Sequence, residues 1–251
     1  MLYLGIFICD TTPPFSACFM ENFSKLTSLL QARRGTFAPL LDYDLNAPDV
    51  TALDFTAANA ALEFAELTNT AAFDAFVQMM LQEKKARVGV GGYFEPRVIY
   101  RRSQHFDLGA EARSIHLGID IWAPADIPIY APLDGVVHSF QDNNHFGDYG
   151  PTIILQHEVE GIPFYTLYGH LSRACLNGKS VGHAVAAGDQ IATMGAFPEN
   201  GDWPPHVHFQ VMTDMLGKHG DFPGVCAPSQ EAFYRQICLN PNLLLNCHYL
   251  D

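Results

Sequence analysis

Histidine and aspartate recur in this sequence at spacings that suit a metal-dependent hydrolase. Three short stretches carry them: HLGID (116–120), YGHLS (168–172) and HVH (206–208). If HLGID forms a strand, side chains alternate, so His116 and Asp120 share one face with Gly118 between them. Because Gly118 has no side chain, a metal ion can occupy the space between the imidazole and the carboxylate. Both groups are common metal ligands.

The other two stretches add three more imidazoles. A strand that starts after Trp203–Pro205 would turn His206 and His208 to the same face and Val207 to the opposite one. His170 ends the apolar run FYTLYGHL, where a strand gives way to a loop that can carry function.

Together these residues make up the parts of a zinc hydrolase that needs no serine or cysteine nucleophile. Catalytic zinc takes three protein ligands and keeps one position for water, whose pKa it lowers to about 7. His116, Asp120 and one of the HVH pair would supply the ligands for one Zn²⁺ per chain. The spacing leaves open whether that ligand is His206 or His208. The remaining histidine and His170 would transfer protons to the leaving amine.

Composition excludes several other classes of protein. The chain has 251 residues, 14 Lys+Arg and 27 Asp+Glu, and its net charge of −13 argues against nucleic-acid binding. Hydrophobic residues make up 48%, as in globular proteins. No apolar run approaches the roughly 18–20 residues of a membrane-spanning helix. Six cysteines without a CxxC pair predict free thiols. The start, residues 1–15, lacks a basic signal-peptide region, which predicts an ordered extension of a cytoplasmic protein.

Helical patterns dominate up to residue 88. We expect one helix capped by Asn22 or Ser24, and a weaker helical segment after Thr56. A stronger helix capped by Thr70 is predicted to end at Gly89, with Lys84, Lys85 and Arg87 in its last turn. Its apolar face follows helical spacing: Phe73, Phe76, Val77, Met80 and Leu81.

Short β-runs separated by glycine, proline and asparagine follow. The predicted strands are 97–101, 119–122, 127–130, 135–140, 152–157, 164–167, 190–194 and 207–212. This spacing indicates an antiparallel sheet. We therefore predict an α+β, mainly β fold, in which a helical segment (1–88) precedes a domain built on an antiparallel sheet (89–225) and a tail (226–251).

The motifs also resemble a known family. HLGID, APLDGVV, YGHLS, GD-x-IA-x-MG and PPHVHFQV, in this order between residues 91 and 212, are similar to the lysostaphin/LytM-type zinc metallopeptidases, which are peptidoglycan endopeptidases. The resemblance implies a β-rich catalytic domain with a narrow groove across its antiparallel sheet. It also implies zinc bound by His116, Asp120 and His208. It makes His170 and His206 the catalytic histidines.

A narrower resemblance extends back to residue 37. The stretches FAPLLDYDLN, GVGGYFEPR, YGPTIILQH, ENGDWPPHVHF and GDFPGV are similar to the peptidase-like module found between kinase-like and aminotransferase domains in some fusion proteins. This similarity weakens the assumption that the substrate is cell-wall peptidoglycan. The expected partner is a peptide or amide substrate, with neither nucleic acid nor a membrane span.

Three other functions remain as alternatives. The chain could be a non-hydrolytic metal-binding module, although a complete set of five site residues argues against lost activity. It could instead be a zinc amidase acting on a small amide metabolite. A cupin-type metal site is disfavoured because no glutamate follows His208 at the required spacing. An ion pair between Glu95 and Arg97 is also expected, more as a structural feature than as a substrate contact.

Overall fold

Most strands of the protein belong to one large sheet. The structure is a computed structural model that describes residues 16–107 and 111–251, so the extension expected at residues 1–15 lies outside the described part. In chain order the strands are β1 (Val50–Ala52), β2 (Val88–Gly91), β3 (Ile115–His116), β4 (Ile119–Trp122), β5 (Pro128–Tyr130), β6 (Gly135–Asn143), β7 (Gly150–Val159), β8 (Ile162–Gly169), β9 (Ala184–Val185), β10 (Gln190–Thr193), β11 (His206–Met212), β12 (Val225–Cys226) and β13 (Cys238–Leu239).

The large sheet has the order β1-β2-β4-β11-β8-β7-β6-β9, and β13 pairs with the end of β11. β1 and β2 run parallel, whereas the other pairings in this sheet are antiparallel. Two small ribbons pair β3 with β12 and β5 with β10. The predicted fold class, mainly β with an antiparallel sheet, is confirmed.

Four α-helices accompany the sheet in the described residues: α1 (Ala17–Ala32), α2 (Thr70–Glu83), α3 (Glu231–Tyr234) and α4 (Asn242–Leu245). Short 3₁₀ helices cover Ala60–Glu63, Ile99–Arg102, Gln104–Asp107, Arg173–Leu176, Pro228–Gln230 and His248–Leu250. Within the described residues, no helix combines the length and the apolar character that crossing a membrane requires.

The two long helices begin earlier than the sequence predicted. Ser16, not Asn22 or Ser24, caps α1, because its side chain accepts a hydrogen bond from the Phe19 backbone N–H. Asn69, not Thr70, caps α2 by accepting from the Ala72 N–H. In both helices the cap is the residue directly before the first helical position, and its side-chain oxygen accepts a hydrogen bond from a backbone N–H of the first turn.

The predicted end of α2 was wrong. The helix stops at Glu83 with Lys84 as its C-cap, and Lys85 adopts a left-handed conformation with φ 55°. Gly89 instead lies inside β2, where an added Cβ would come 2.4 Å from Leu53 Cδ1. Gly89 therefore allows β2 to pack against its neighbours rather than ending the helix.

The strand predicted at Arg97–Arg101 was also wrong. Ile99–Arg102 form a 3₁₀ helix, and Ile99 and Tyr100 pack into an aromatic cluster beneath α2. No neighbouring strand pairs with this stretch, so burial rather than sheet formation explains its apolar character. The helical segment after Thr56 is only the 3₁₀ helix Ala60–Glu63, and Asn59 caps it.

The two faces of the sheet have different roles. One face packs against α1 and α4 to form the main core, which includes Leu26, Leu30, Ile121, Val207 and Phe209. The opposite face, covered by α2 and the 3₁₀ helices around residue 100, carries the histidines and Asp120 described below. β1 and β2 join this sheet, so the sheet itself crosses the boundary expected near residue 88.

Candidate active site

Strands β4 and β11 bring the HLGID and HVH motifs together at the centre of the sheet. They pair antiparallel, with His208 opposite Asp120 and His206 opposite Trp122. Because side chains alternate along a strand, His206 and His208 face the same side while Val207 enters the main core, as the sequence predicted.

His116 reaches the site from a different strand. It lies in β3, which pairs with β12, so HLGID is not the single strand expected from the sequence. The chain bends at Leu117 and Gly118 before β4 begins. A Cβ on Gly118 would lie 2.7 Å from the His208 ring and from the Phe209 carbonyl oxygen. Glycine at this position therefore lets the two histidine-bearing strands approach each other.

Three atoms that could bind a metal ion converge at this point. His116 Nε2 lies 2.9 Å from His208 Nδ1, and Asp120 Oδ1 lies 3.2 Å and 3.1 Å from these two nitrogens. All three residues are buried. Among residues 16–107 and 111–251, they form the one group of histidine, cysteine or acidic side chains arranged to hold a metal ion.

Hydrogen bonds on the outer sides of the rings fix which nitrogens face inward. His116 Nδ1 donates to the Gly92 carbonyl oxygen, 2.9 Å away, which leaves a lone pair on Nε2. His208 Nε2 donates to Gln210 Oε1 at 2.9 Å, while the Gln210 amide nitrogen donates to the Pro223 carbonyl. The lone pair of His208 is therefore on Nδ1. Such outer partners orient metal-ligating histidines.

The geometry fits a divalent metal ion. A tetrahedral ion holds nitrogen and oxygen ligands at about 2.0–2.2 Å, which sets neighbouring ligand atoms roughly 3.3 Å apart. The three distances between the lone-pair-bearing atoms are close to this value. A cation placed between these atoms would accept the lone pairs that the two imidazoles and the carboxylate turn toward one another.

His170 and His206 form a second pair beside the first group. Their ring centroids are 4.1 Å apart, and the His206 ring stacks on Trp122 at 4.0 Å. His170 Nδ1 donates to the Asn200 carbonyl, and His206 Nδ1 donates to the Pro204 carbonyl, both at 2.8 Å. Each ring thus retains an unprotonated Nε2, and His206 Nε2 lies 3.9 Å from Asp120 Oδ1.

Burial keeps these imidazoles neutral. It lowers the pKa of His116 to about 3, with the Arg97 charge acting in the same direction, and that of His206 to about 4. Burial and the neighbouring His206 hold the pKa of His170 well below its ordinary value. At neutral pH these three rings can therefore accept a proton or a metal ion.

Asp120 remains ionised despite its burial. Burial alone would raise its pKa, but His116 and the Arg97 guanidinium outweigh that effect and hold the pKa well below the usual range. Arg97 Nη1 donates to Asp120 Oδ2, so Oδ1 is the oxygen that faces the histidines. The carboxylate is thus prepared to offer one oxygen to a cation.

A cavity of about 210 Å³ opens onto the site. Asp120, His170, His206 and His208 form one wall. Aromatic side chains form much of the remainder: Tyr100, Phe106, Tyr149, Trp203 and Phe222. Arg113, Lys218, Asp148 and Asp221 add charges of both signs. Such an apolar pocket with a few converging polar groups is typical of a site for a small ligand.

The structure assembles all five residues that the sequence singled out, and it adds others. Tyr149 was not anticipated, yet its hydroxyl lies 3.5 Å from His208 Nε2. Gln210 lies two residues after His208 on β11, so its side chain is on the same face as the two histidines. This alternation could have identified it from the sequence. Tyr168, two positions before His170, packs in the main core rather than at the site.

A family comparison agrees with this geometry. Residues 114–220 match the family model described as Peptidase family M23, a segment that contains all five site residues but less than half of the chain. This segment is therefore similar to Peptidase family M23, in line with the resemblance of its motifs to the lysostaphin/LytM-type peptidases.

Solved structures with similar sequences include peptidase domains. The catalytic domain of lysostaphin from Staphylococcus simulans is 27% identical, covering 49% of this chain and 80% of that chain, with a TM-score of 0.33. LytU is 26% identical over 55% and 85% of the two chains, with a TM-score of 0.34. The M23 protein EnpA from Enterococcus faecalis is 24% identical over 51% and 78%, with a TM-score of 0.34. Because all three TM-scores are below 0.5, these structural likenesses add no argument to the family match over residues 114–220.

Proposed function

We propose that this protein is a zinc-dependent metallopeptidase that hydrolyses a peptide bond in a short substrate. The observation that carries the proposal is the meeting of His116 Nε2, His208 Nδ1 and Asp120 Oδ1 within 3.2 Å of one another. A divalent cation between them would satisfy all three acceptors in a buried site. Two nitrogens and one oxygen are a ligand set that catalytic zinc uses.

Zinc bound there supplies Lewis acidity and lowers the pKa of a coordinated water to about 7. The chain supplies the proton transfers. His206 and His170, both neutral, each present Nε2 as a proton acceptor beside the cavity. One accepts the proton of the attacking water at Nε2. It then donates that proton to the amine nitrogen as the carbon–nitrogen bond breaks.

The walls of the cavity favour a small substrate. At about 210 Å³ it is smaller than the 300–1,000 Å³ typical of pockets for drug-sized ligands. Tyr100 and Phe106, from the 3₁₀ helices before β3, close part of it. This size also favours a second candidate, a zinc amidase that cuts a small non-peptide amide by the same chemistry.

Metal analysis and substrate profiling test the proposal. Purified wild-type protein is expected to hold about one zinc per chain, and His208→Ala or Asp120→Ala to lose most of it, with the exposed His183→Ala as control. A panel of muropeptides, oligoglycines and simple amides then separates peptidase from amidase. Full zinc occupancy in both ligand variants would overturn the ligand assignment. Zinc binding without hydrolysis of any panel member would favour a binding module.

A further inference from the structure

The side chains of the metal-ligand residues make two hydrogen bonds to a part of the chain that precedes the family-matched segment. This part, which we call the β2 arm, comprises residues 88–97, that is, β2 and the turn after it. The Gly92 carbonyl accepts the hydrogen bond that fixes His116, and the Arg97 guanidinium donates to Asp120. We propose that the β2 arm forms the outer part of the metal site and that Arg97 is the positioning residue of Asp120. This inference rests on the proposed zinc function.

Arg97 is held on two sides. Its Nε donates to Glu95 Oε2 at 2.6 Å, and its Nη1 donates to Asp120 Oδ2. The Arg97 side chain has no exposed surface, and its guanidinium carbon lies 5.5 Å from the centre of the Phe55 ring. A planar guanidinium can join two carboxylates in this way because its donors point in fixed directions. Glu95 thereby fixes the arginine that fixes Asp120.

The contact with Arg97 determines which oxygen of Asp120 faces the ligand histidines. With Oδ2 occupied by Arg97, Asp120 has Oδ1 left to offer, and Oδ1 is the atom within 3.2 Å of both imidazole nitrogens. Without Arg97 the carboxylate can rotate about its side-chain bonds. It would also be a buried charge that lacks its strongest partner. Arg97 thus sets both the direction and the single-oxygen character of this ligand.

The backbone of β2 makes room for this arrangement. Gly91 lies directly opposite Asp120 in the β2–β4 pairing. An added Cβ at Gly91 would come 2.6 Å from Arg97 Nη2, so an alanine there must displace the guanidinium. Gly91→Ala therefore tests the placement of Arg97 without removing its charge.

The experiment measures zinc affinity by competition with a chelator, and the visible absorption spectrum of the Co²⁺-substituted protein. In Arg97→Gln we expect the dissociation constant for zinc to rise about 10–100-fold, the usual effect of removing an outer partner of a metal ligand. We also expect an altered Co²⁺ spectrum. Arg97→Lys should lie between, because an ammonium makes one carboxylate contact but cannot bridge two.

Two further variants separate positioning from general stability. Gly91→Ala should weaken zinc binding in the same direction as Arg97→Gln, because the added methyl group displaces the guanidinium. Arg87→Gln removes an exposed arginine just before β2 and should leave the zinc affinity unchanged. Unfolding of the chelator-treated proteins in urea shows which variants fold. If Arg97→Gln does not fold, Arg97→Lys and Gly91→Ala decide the question.

Unchanged zinc affinity and an unchanged Co²⁺ spectrum in folded Arg97 and Gly91 variants would overturn the inference while leaving the proposed function intact. The same holds if Arg87→Gln weakens zinc binding as much as Arg97→Gln does. A wild-type protein that binds no zinc would overturn the proposed function, and the inference with it. The wild-type measurement and the variant measurements thus separate the two failures.

Discussion

Two histidines on one strand offer different nitrogens to the site. His208 is bonded through Nε2 to Gln210 and presents Nδ1, whereas His206 is bonded through Nδ1 to the Pro204 carbonyl and presents Nε2. The outer hydrogen bonds therefore determine which ring nitrogen of each histidine faces the site. His208 Nδ1 meets His116 at 2.9 Å, while His206 stacks on Trp122 beside the cavity.

This difference predicts separate effects of removing each ring. His206→Ala should retain zinc, because the three converging ligand atoms stay in place, but kcat should fall about 10²–10⁴-fold with the loss of a general acid/base group. Steady-state kinetics and metal analysis of the same preparation check this. His183→Ala, at an exposed position, is the control. Undiminished kcat in His206→Ala would remove this histidine from the chemistry.

At the residue scale, the sequence singled out the members of the inner group because they lie in short local motifs, and the family resemblance selected His208 over His206. Alternation along one strand places His206 and His208 on one face, whereas His116 lies in β3 and reaches Asp120 across the bend at Leu117 and Gly118. The outer partners could not be found in this way. Arg97 reaches Asp120 across 23 positions, and its contact depends on how β2 packs beside β4.

At the scale of elements, β11 joins the core to the site. All seven of its residues are buried, and it pairs with β4, β8 and β13. Phe209 has no exposed surface, and its ring centre lies 5.3 Å from that of Tyr168 in the main core. The strand that carries the histidines is thus held by side chains on its other face.

Shortening Phe209 tests this anchoring. Phe209→Ala should lower the free energy of unfolding by about 3–5 kcal/mol, because a large buried ring is lost and a cavity remains. Phe209→Leu should cost much less, since most of the volume stays filled. Urea unfolding of chelator-treated proteins gives both values without a contribution from metal binding. Equal stability of the alanine variant and the wild type would show that the core repacks around the strand.

The elements that sequence patterns missed are the short ones with distant partners. β4, β6, β7, β8 and β11 were predicted within a few residues, because glycine and proline mark their ends. β1, with three residues, and β13, with two, carry too little alternation to be detected. β13 pairs with β11 only after the chain has passed through β12 and α3.

At the scale of the whole molecule, the segment before residue 88 is built into the same sheet and core as the site. β1 extends the sheet, and α1 contributes Leu26 and Leu30 to the main core. Of the described residues, none before Arg97 lines the cavity. Among the described residues, this segment thus contributes to the edge of the sheet, to the main core and, through α2, to the cover of the face that carries the site.

Burying several neutral imidazoles makes the fold of the metal-free protein sensitive to acid. The pKa of His116 falls to about 3 and that of His206 to about 4, both through burial, and burial also lowers the pKa of His157. In the unfolded chain a histidine titrates near 6.5. Between these values the unfolded state binds more protons than the folded state, so the free energy of unfolding falls as the pH drops.

We therefore expect chelator-treated protein to keep its full stability above about pH 6.5 and to lose about 1.4 kcal/mol per pH unit for each such imidazole below it. Urea unfolding between pH 7.5 and 4.5 measures this slope. His206→Gln removes one of the buried imidazoles and should make the slope shallower by one such contribution. Zinc should shift the loss of stability to lower pH, because it binds the unprotonated rings of the folded state and competes with protons. A slope that is flat in the wild type, or unaltered in His206→Gln, would mean that these rings take up protons as readily in the folded protein as in the unfolded chain, and that burial does not keep them neutral.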